Sequence, residues 1–347
     1  MAVRLSSFGS FVKSANSWVS SICPRFVDSA TQLMVNTRVF FTNSNQGNHF
    51  VGIDLNNAGI LDFRSHGTRV SGLIVTPTYG VAKDAKLSAV KVSDLKPAQD
   101  EPPYEPQINV YPLLTAALDG ADWILSTDYD PEGDLAVANF SVIFRTDLTE
   151  QEFDARVDGY EGADYQDYLN ALEPFEDAIE DMLQAGIVII AAAGNRGAES
   201  FSNWLPHRVD GVISVGGTTS DDIIWHNSNW GTHVTLFAPA ADVATTNYTT
   251  FGHPPEVTVS GTSGAAPHVA AVAATLLQQF PGASPNEVRQ KILATATAGK
   301  LSDATQGYQS EPPPEALPNL LLFRSLALVV SIPYVGRMGE QRYPCIG

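Results

Sequence analysis

The segment SGTSGAAPHVAA, residues 260–271, decides how this chain folds. Small residues form a turn, and the residues after it, through Leu277, are apolar on every side of a predicted helix, which is typical of a buried helix. We expect Pro267 in the first turn of this helix, where a missing backbone N–H costs little. Ser263 then lies at the N-terminus of a buried helix, where the local potential is positive. Because that potential favours developing negative charge, Ser263 is the candidate nucleophile.

Two other segments place a polar side chain beside glycine. SHGTRVSG, residues 65–72, puts His66 at the start of a short helix whose apolar residues face one side. AAAGNRG, residues 191–197, puts Asn195 at the carboxyl end of a continuous β-branched run. Ligands of open α/β sheets bind at the carboxyl ends of strands. Taken singly, each segment also fits a structural role, a capping histidine and a turn asparagine.

The pattern between these segments alternates strands with helices. Short runs rich in β-branched residues predict strands at 35–41, 86–92, 186–193, 212–215 and 234–237. Apolar residues spaced three to four apart predict helices at 169–185 and 286–294. Such alternation indicates an α/β fold with a mostly parallel sheet.

Composition excludes several classes of function. The 347 residues include 20 Lys and Arg against 38 Asp and Glu, a net charge of −18. An acidic chain repels phosphate backbones, so we expect neither nucleic acid nor an anionic membrane as a partner. The two cysteines, Cys23 and Cys345, exclude a multi-cysteine zinc site, and they are either bonded to each other or unpaired.

We divide the chain into an N-terminal arm (1–20), one domain (21–300), and a linker with a C-terminal extension (301–347). The linker is the polar, proline-rich stretch 301–316, and the acidic stretch 145–168 is predicted to be a solvated insertion. The N-terminus has no continuous apolar region of a signal peptide. The apolar segment 317–335 is interrupted by proline and arginine, so it is not predicted to span a membrane.

Together, SHGTRVSG, AAAGNRG and SGTSGAAPHVAA resemble the motifs of the subtilisin-like serine protease family, in the family's order. Three stretches between these motifs also resemble the family's sequences: GVAKDAKLSAVKV (80–92), GVISVGGTT (211–219) and FAPA (237–240). The resemblance covers about residues 21–297. It implies a three-layer α/β/α fold and a serine endopeptidase. By that resemblance Ser263 is the nucleophile, His66 the general base, and Asn195 a donor of the oxyanion hole.

The catalytic aspartate has two candidates in the sequence, and the remaining alternative is that another residue, or none, takes this role. Asp28 lies 38 residues before His66, and Asp54 lies 12 before it. Because the family's fold needs a loop and a whole strand between the two residues, we favour Asp28. Ala30 stands where the family's motif has glycine.

The resemblance also implies a substrate site. The family pairs substrate with a strand reading Ser-Leu-Gly-Gly, and the matching residues here are Ser141-Val142-Ile143-Phe144. We expect Ser141, Val142, Ala193 and Gly194 to bind the backbone of a protein or peptide substrate, in a monomer. Ile143 and Phe144 replace glycines and should crowd the pocket or the strand beyond it. We therefore expect altered specificity or reduced general proteolysis.

No cofactor is expected to take part in the chemistry. The loop from Asp128 to Asp134 alternates carboxylates with a glycine, so it is either a structural calcium site or a solvated acidic turn. The resemblance implies secretion, although no signal peptide is visible.

Two other functions are alternatives to a serine endopeptidase. An α/β-hydrolase orders its residues Ser, acid, His. The only histidine after Ser263 is His268, five residues along the same helix, which disfavours that class. The other alternative is a catalytically impaired protein of the same fold that binds peptides without cleaving them. The lost glycines and the unresolved aspartate motivate it.

Overall fold

The computed structural model of the chain describes residues 37–43, 66–83, 85–91, 114–131, 134–155, 164–198, 203–247, 256–301 and 320–322. The predicted arm, Cys23, Cys345, Asp28 and Asp54 lie outside these residues, as does most of the predicted linker.

The strands and helices alternate along most of the described chain. The strands are β1 (Thr37–Asn43), β2 (Lys86–Lys91), β3 (Leu135–Phe140), β4 (Phe144–Arg145), β5 (Val188–Ala192), β6 (Trp204–Leu205), β7 (Ile213–Thr218), β8 (Leu236–Pro239), β9 (Val243–Thr246), β10 (Glu256–Val259), β11 (Thr297–Ala298) and β12 (Leu320–Leu321). The helices are α1 (His66–Val75), α2 (Leu114–Trp123), α3 (Glu150–Asp154), α4 (Tyr165–Gln184), α5 (Thr262–Gln279) and α6 (Pro285–Thr295), and α2 continues as a π-helical turn over Ile124–Asp128.

One eight-stranded sheet organises the molecule, in the order β11-β12-β8-β7-β5-β3-β1-β2. Every neighbouring pair in it is parallel except β11 with β12. Two antiparallel pairs, β4 with β6 and β9 with β10, lie outside it. The predicted parallel sheet is therefore confirmed. β12 belongs to the predicted C-terminal extension and pairs with β8 at Leu321.

Helices cover both faces of this sheet. In β3, Ala136, Ala138 and Phe140 pack with α2 and α4, whereas Val137 packs with α5 and α6. The same alternation along β5 buries both of its faces, which explains its continuous apolar run. The three-layer α/β/α architecture is confirmed.

Capping residues set the helix starts. α4 begins four residues before the predicted start because the Asp164 side chain accepts a hydrogen bond from the N–H of Asp167 (3.0 Å). α6 begins with a capping box formed by Ser284 and Glu287. The bounds of α6 differ from the predicted ones by one residue at each end.

The acidic insertion is more ordered than predicted. Phe153 on α3 is buried and its ring contacts Tyr165 and Tyr168, with ring centroids 5.6 and 5.3 Å apart. Arg145 bonds Asp147 (2.8 Å) and Glu152. The prediction of a fully solvated stretch is wrong for these residues, because aromatic side chains at helical spacing turn inward while the carboxylates stay outside.

No helix within the described ranges has the length and apolar character that crossing a membrane demands.

Candidate active site

The candidate nucleophile lies at the start of the central helix. Ser263 is the second residue of α5, and its side chain is half-buried. Gly261, just before the helix, has a φ of 154° and donates its N–H to the carbonyl of Ala240 at 2.8 Å. This φ favours glycine. The N–H of Ser263 makes no hydrogen bond with any other described residue, so it is available to an oxyanion.

The side-chain amide of Asn195 is held in one orientation. Its Oδ1 accepts hydrogen bonds from the N–H and the Oγ1–H of Thr262, each at 2.8 Å. Because a backbone N–H can only donate, the atom facing it must be the oxygen. The Nδ2 group is therefore directed away from Thr262 and lies 3.4 Å from where a Cβ on Gly261 would be. Asn195 itself is exposed, so Nδ2 can reach a ligand at the start of α5.

Asn229 fixes the loop that carries Asn195. This asparagine is fully buried, and its Nδ2 donates to the carbonyl of Ala193 at 2.9 Å. Its Oδ1 accepts from the N–H of Arg196 at 2.9 Å, and its own N–H donates to the carbonyl of Gly194 at 2.8 Å. Gly194 has a φ of 103°, and a Cβ there would collide with the Asn229 amide. Three hydrogen bonds and a required glycine thus set the loop.

Ser141 connects β3 to the nucleophile. Its Oγ donates to the carbonyl of Ser263 at 3.2 Å and accepts from Nδ2 of the buried Asn139 at 2.9 Å. The carbonyl of Ser263 has no helical donor because residue 267, four positions on, is proline. Pro267 is the sixth residue of α5, so its predicted place in the first turn is wrong. Ser141 supplies the hydrogen bond that this proline cannot.

His66 begins α1, as predicted, and its imidazole is held neutral. Burial, followed by the charge of Arg69, lowers the pKa of His66 from 6.5 to about 4. The ring nitrogen Nδ1 is buried and forms no hydrogen bond with a described residue. A neutral imidazole is the form that can accept a proton, and an unpaired Nδ1 is where an orienting carboxylate would bind.

Helix α1 is anchored on two sides. Thr245 on β9 donates through Oγ1 to the carbonyl of Arg69 at 2.7 Å, and the Arg69 Nε donates to the Oδ1 of Asn247 at 3.2 Å. On the other side α1 packs against α5, where Leu73 Cδ1 lies 3.9 Å from the position that a Cβ on Gly264 would take. The helix of His66 therefore lies directly beside the helix of Ser263.

The structure brings together most of the predicted site but not all of it. Hydrogen bonds join the segments of Ser141, Gly194, Asn195 and Ser263. The side chains of His66 and Ser263, on adjacent helices, form no hydrogen bond with each other. The Val142 side chain is 4% exposed and belongs to the core, so only its backbone is left for a substrate.

His268 cannot replace His66. Its Nδ1 lies 2.8 Å from the carbonyl of Gly264 on its own helix, and burial lowers its pKa. The geometry supports the expectation that disfavoured an α/β-hydrolase.

The predicted calcium loop is only partly described, since residues 132–133 are outside the described residues. Asp130 accepts at its carbonyl from the N–H of Asp134 (2.7 Å) and donates its own N–H to that side chain (3.2 Å). The described part of the chain holds no group of three or more His, Cys, Asp or Glu side chains placed to bind a metal. Calcium at this loop stays a prediction.

Sequence reasoning missed three residues that build the site. Asn139 stands as one polar residue in the apolar run LAVANF, which is a detectable exception. Thr262 lies inside the motif of Ser263, but the motif by itself indicates no role for its side chain. Asn229 has no sequence signal beyond a polar stretch that resembles a turn, because its partners lie more than 30 residues away.

The fold and this arrangement define an α/β protein with a serine at the start of a buried helix and an oriented amide beside it. A model of the subtilase family matches residues 26–309, and the chain belongs to that family. The resemblance drawn from the motifs is confirmed.

Its relatives include three proteins that are serine proteases by name. The chain is 32% identical over 248 residues to Alkaline serine exoprotease A of Vibrio alginolyticus, covering 72% of this chain and 38% of that protein. It is 31% identical to an extracellular serine proteinase of Thermus sp. (strain Rt41A), covering 76% and 51%, and 31% identical to a cuticle-degrading serine protease of Arthrobotrys oligospora, covering 71% and 50%. The chain thus spans about half or less of these relatives' lengths.

A solved structure of similar fold is that of a cold-adapted subtilisin-like serine proteinase. It shares 27% identity with a TM-score of 0.59, and the match covers 83% of this chain and 88% of that one.

Proposed function

We propose that this protein is a serine endopeptidase with Ser263 as nucleophile, His66 as general base and Asn195 as oxyanion donor. The observation that carries the proposal is the fixed amide of Asn195, whose Oδ1 is held by Thr262. Its Nδ2 and the N–H of Ser263 then form a pair of donors at the start of α5. Donors fixed before the reaction stabilise the charge that develops on an attacked carbonyl oxygen.

The reaction follows from the groups present. Ser263 Oγ attacks the peptide carbonyl, and His66 takes the hydroxyl proton and later gives it to the leaving amine. The lowered pKa keeps His66 unprotonated at neutral pH. We assign Asp28, rather than Asp54, to the His66 Nδ1, where a carboxylate would orient the ring and stabilise its charged form. The proposal requires no cofactor.

An extended peptide is the proposed substrate. Ser141 and Val142 follow β3, where backbone groups can pair with a peptide strand. Ala193 and Gly194 follow β5, and since their N–H and carbonyl groups are already hydrogen-bonded within the protein, these two residues border the substrate without pairing with it. We propose that the protein acts as a monomer on protein or peptide chains.

The test is covalent labelling with a fluorophosphonate, which reacts with activated serines. The wild-type protein should be labelled, and Ser263→Ala should not. Ser260→Ala, three residues away at an exposed serine, is the matched control and should be labelled at the wild-type rate. His66→Ala should label at least about 10³-fold more slowly, since the hydroxyl loses its base. Labelling that survives in Ser263→Ala would reject the assignment.

The rate of fluorophosphonate labelling, measured as a function of pH, identifies which aspartate is the catalytic acid of the triad. A carboxylate at Nδ1 favours the charged imidazole, so its removal lowers the His66 pKa. Asp28→Asn should therefore slow labelling and move its acid limb to lower pH, while Asp54→Asn should change neither. The reverse pattern would assign Asp54.

The alternative is a peptide-binding protein that no longer cleaves. It is favoured by the missing hydrogen bond between His66 and Ser263. Catalytic hydrogen bonds often tighten only when substrate binds, so we rank this alternative second. It predicts folded wild-type protein that binds peptides but takes up no label.

A further inference from the structure

We infer that Ile143 limits this enzyme to substrates with a small side chain at P1, the residue whose carbonyl is attacked. The inference rests on the proposed function and names its substrate class.

The cleft in question opens where two neighbouring strands end. β3 and β5 pair in parallel, and the last paired residues are Phe140 and Ala191. Beyond this point each chain segment bonds to the start of α5, through Ser141 on one side and through Asn195 on the other. The segments 141–143 and 193–195 therefore flank the start of α5 and Ser263, and we call the space between the two segments the cleft.

Ile143 reaches across this cleft. Its Cδ1 lies 2.7 Å from the position that a Cβ on Gly194 would take, so its side chain is packed against the opposite wall. Gly194 is the residue directly before Asn195. The Ile143 side chain is only half-buried, so it borders the open cleft rather than the core.

Phe144, the other residue that stands in place of glycine, does not enter the cleft. It is fully buried, and its ring meets Phe175 edge to face with the centroids 5.3 Å apart. Phe144 therefore lies in the strand beyond the cleft, β4, and of the two residues only Ile143 lies beside Gly194.

The consequence follows from the position of the oxyanion donors. A peptide paired along residues 141–143, with its carbonyl at Asn195 Nδ2, must place the P1 side chain between the two walls. Ile143 already fills that space beside Gly194. Glycine or alanine at P1 avoids the conflict, whereas an aromatic side chain must displace Ile143. That displacement is costly because isoleucine is stiff at χ1, and the neighbouring Val142 and Phe144 are anchored in the core.

The experiment compares two peptide substrates that differ only at P1, alanine against phenylalanine. In the wild-type full chain, kcat/KM for alanine should exceed that for phenylalanine at least tenfold. In Ile143→Gly and Ile143→Ala, kcat/KM for the phenylalanine substrate should rise by roughly 10- to 200-fold, the range that one small change of pocket size controls. Ile143→Val removes Cδ1 but keeps the branched Cβ, and should give an intermediate preference.

A matched control and a second readout separate the possible failures. Leu293→Ala truncates a half-buried aliphatic residue on α6 and should leave the P1 preference unchanged. A fluorophosphonate carries no P1 side chain, so labelling reports whether each variant keeps an activated serine, independently of its P1 preference. Labelled wild-type protein that prefers phenylalanine, or an Ile143→Ala variant with an unchanged preference, would overturn this inference and leave the proposed function standing. Folded wild-type protein without labelling would overturn the proposed function and this inference with it.

Discussion

At the scale of single residues, Thr262 connects the nucleophile's helix to the oxyanion loop. Its side chain is fully buried, and Oγ1 accepts from the N–H of Gly194 at 3.0 Å while donating to the Oδ1 of Asn195 at 2.8 Å. Its N–H donates to the same oxygen. The Thr262 hydroxyl donates its proton to Asn195 and accepts a hydrogen bond from Gly194, so it holds both residues in place. The residue beside the nucleophile thereby sets which way the Asn195 amide points.

Replacing Thr262 by valine tests this dependence. Thr262→Val keeps the shape, but it leaves the buried Gly194 N–H without an acceptor and removes one of the two donors that hold Asn195. We expect kcat to fall about tenfold with little change in KM, because the lost interaction acts in the transition state. Stability should fall by about 1–3 kcal/mol, the cost of one unsatisfied buried donor. Steady-state kinetics and denaturant unfolding measure the two effects.

Two further variants serve as comparisons for Thr262→Val. Thr262→Ser keeps the hydroxyl and should retain most activity. Asn195→Ala removes the donor itself and should cost roughly 10²–10³ in kcat, the loss known for a subtilisin's own oxyanion asparagine. A Thr262→Val variant with undiminished kcat would show that the amide is oriented without the hydroxyl.

The sequence predicts some site residues and not others for a physical reason. Ser263, His66 and Asn195 are recognisable because each lies in a short segment whose neighbours serve the same local turn or helix start. Asn229 acts on a loop more than 30 residues away, and local pattern carries no information about such a contact. Likewise the two residues that replace glycine look equivalent in sequence, and only tertiary packing sends Phe144 to the core and Ile143 to the cleft.

At the scale of elements, the position of α1 depends on a glycine. A Cβ on Gly72 would come within 2.8 Å of the Thr245 Oγ1 and still closer to the Thr246 Cγ2. This close approach lets β9 lie against α1, and Thr245 then holds the carbonyl of Arg69. His66 begins the same helix, so the position of His66 depends on how α1 packs against β9.

Substituting alanine for Gly72 should therefore displace the base. Alanine favours a helix more than glycine by about 1 kcal/mol, but the clash with β9 should outweigh this and give a net destabilisation of about 1–3 kcal/mol. We expect kcat/KM to fall as well, because His66 shifts with the helix. Peptide hydrolysis and thermal unfolding of Gly72→Ala report both effects.

A second substitution shows whether the contact with β9 is the cause. Thr246→Ser removes only the methyl group nearest to the added Cβ, so Gly72→Ala with Thr246→Ser should recover part of the activity and stability. If the double variant is no better than Gly72→Ala alone, the helix is positioned by other contacts.

At the scale of the whole molecule, the alternation of strands and helices is visible in the sequence but the strand order is not. A long apolar run such as that of β5 is a strong sequence signal for a strand, because both faces of the strand are buried. The two-residue strands β4, β6, β11 and β12 are too short to show any period, so pairing with their neighbours defines them. The strand order β8-β7-β5-β3-β1-β2 likewise depends on how α5, α2 and α4 pack against the two faces of the sheet, which a local sequence pattern does not show.

In the folded molecule, burial lowers the pKa of three described histidines, His66, His207 and His268. His207 is 3% exposed and stacks on Trp204, with ring centroids 6.4 Å apart. Burial, followed by the charge of His233, lowers the pKa of His207 to about 3, and the pKa of His66 is lowered to about 4. In the unfolded chain a histidine has a pKa of about 6.5. Below that pH the unfolded state therefore binds more protons than the folded state.

Stability should consequently fall as the solution is acidified from pH 6.5 to pH 5, above the range in which most carboxylates titrate. His207 adds a slope of up to about 1.4 kcal/mol per pH unit to the free energy of unfolding, because its protonation favours only the unfolded chain. Denaturant unfolding at several pH values measures this slope. His207→Gln should flatten it by about the share of one histidine. An equally steep slope in His207→Gln would mean that His207 takes up protons equally in the folded and the unfolded chain, against the burial and stacking that the structure shows.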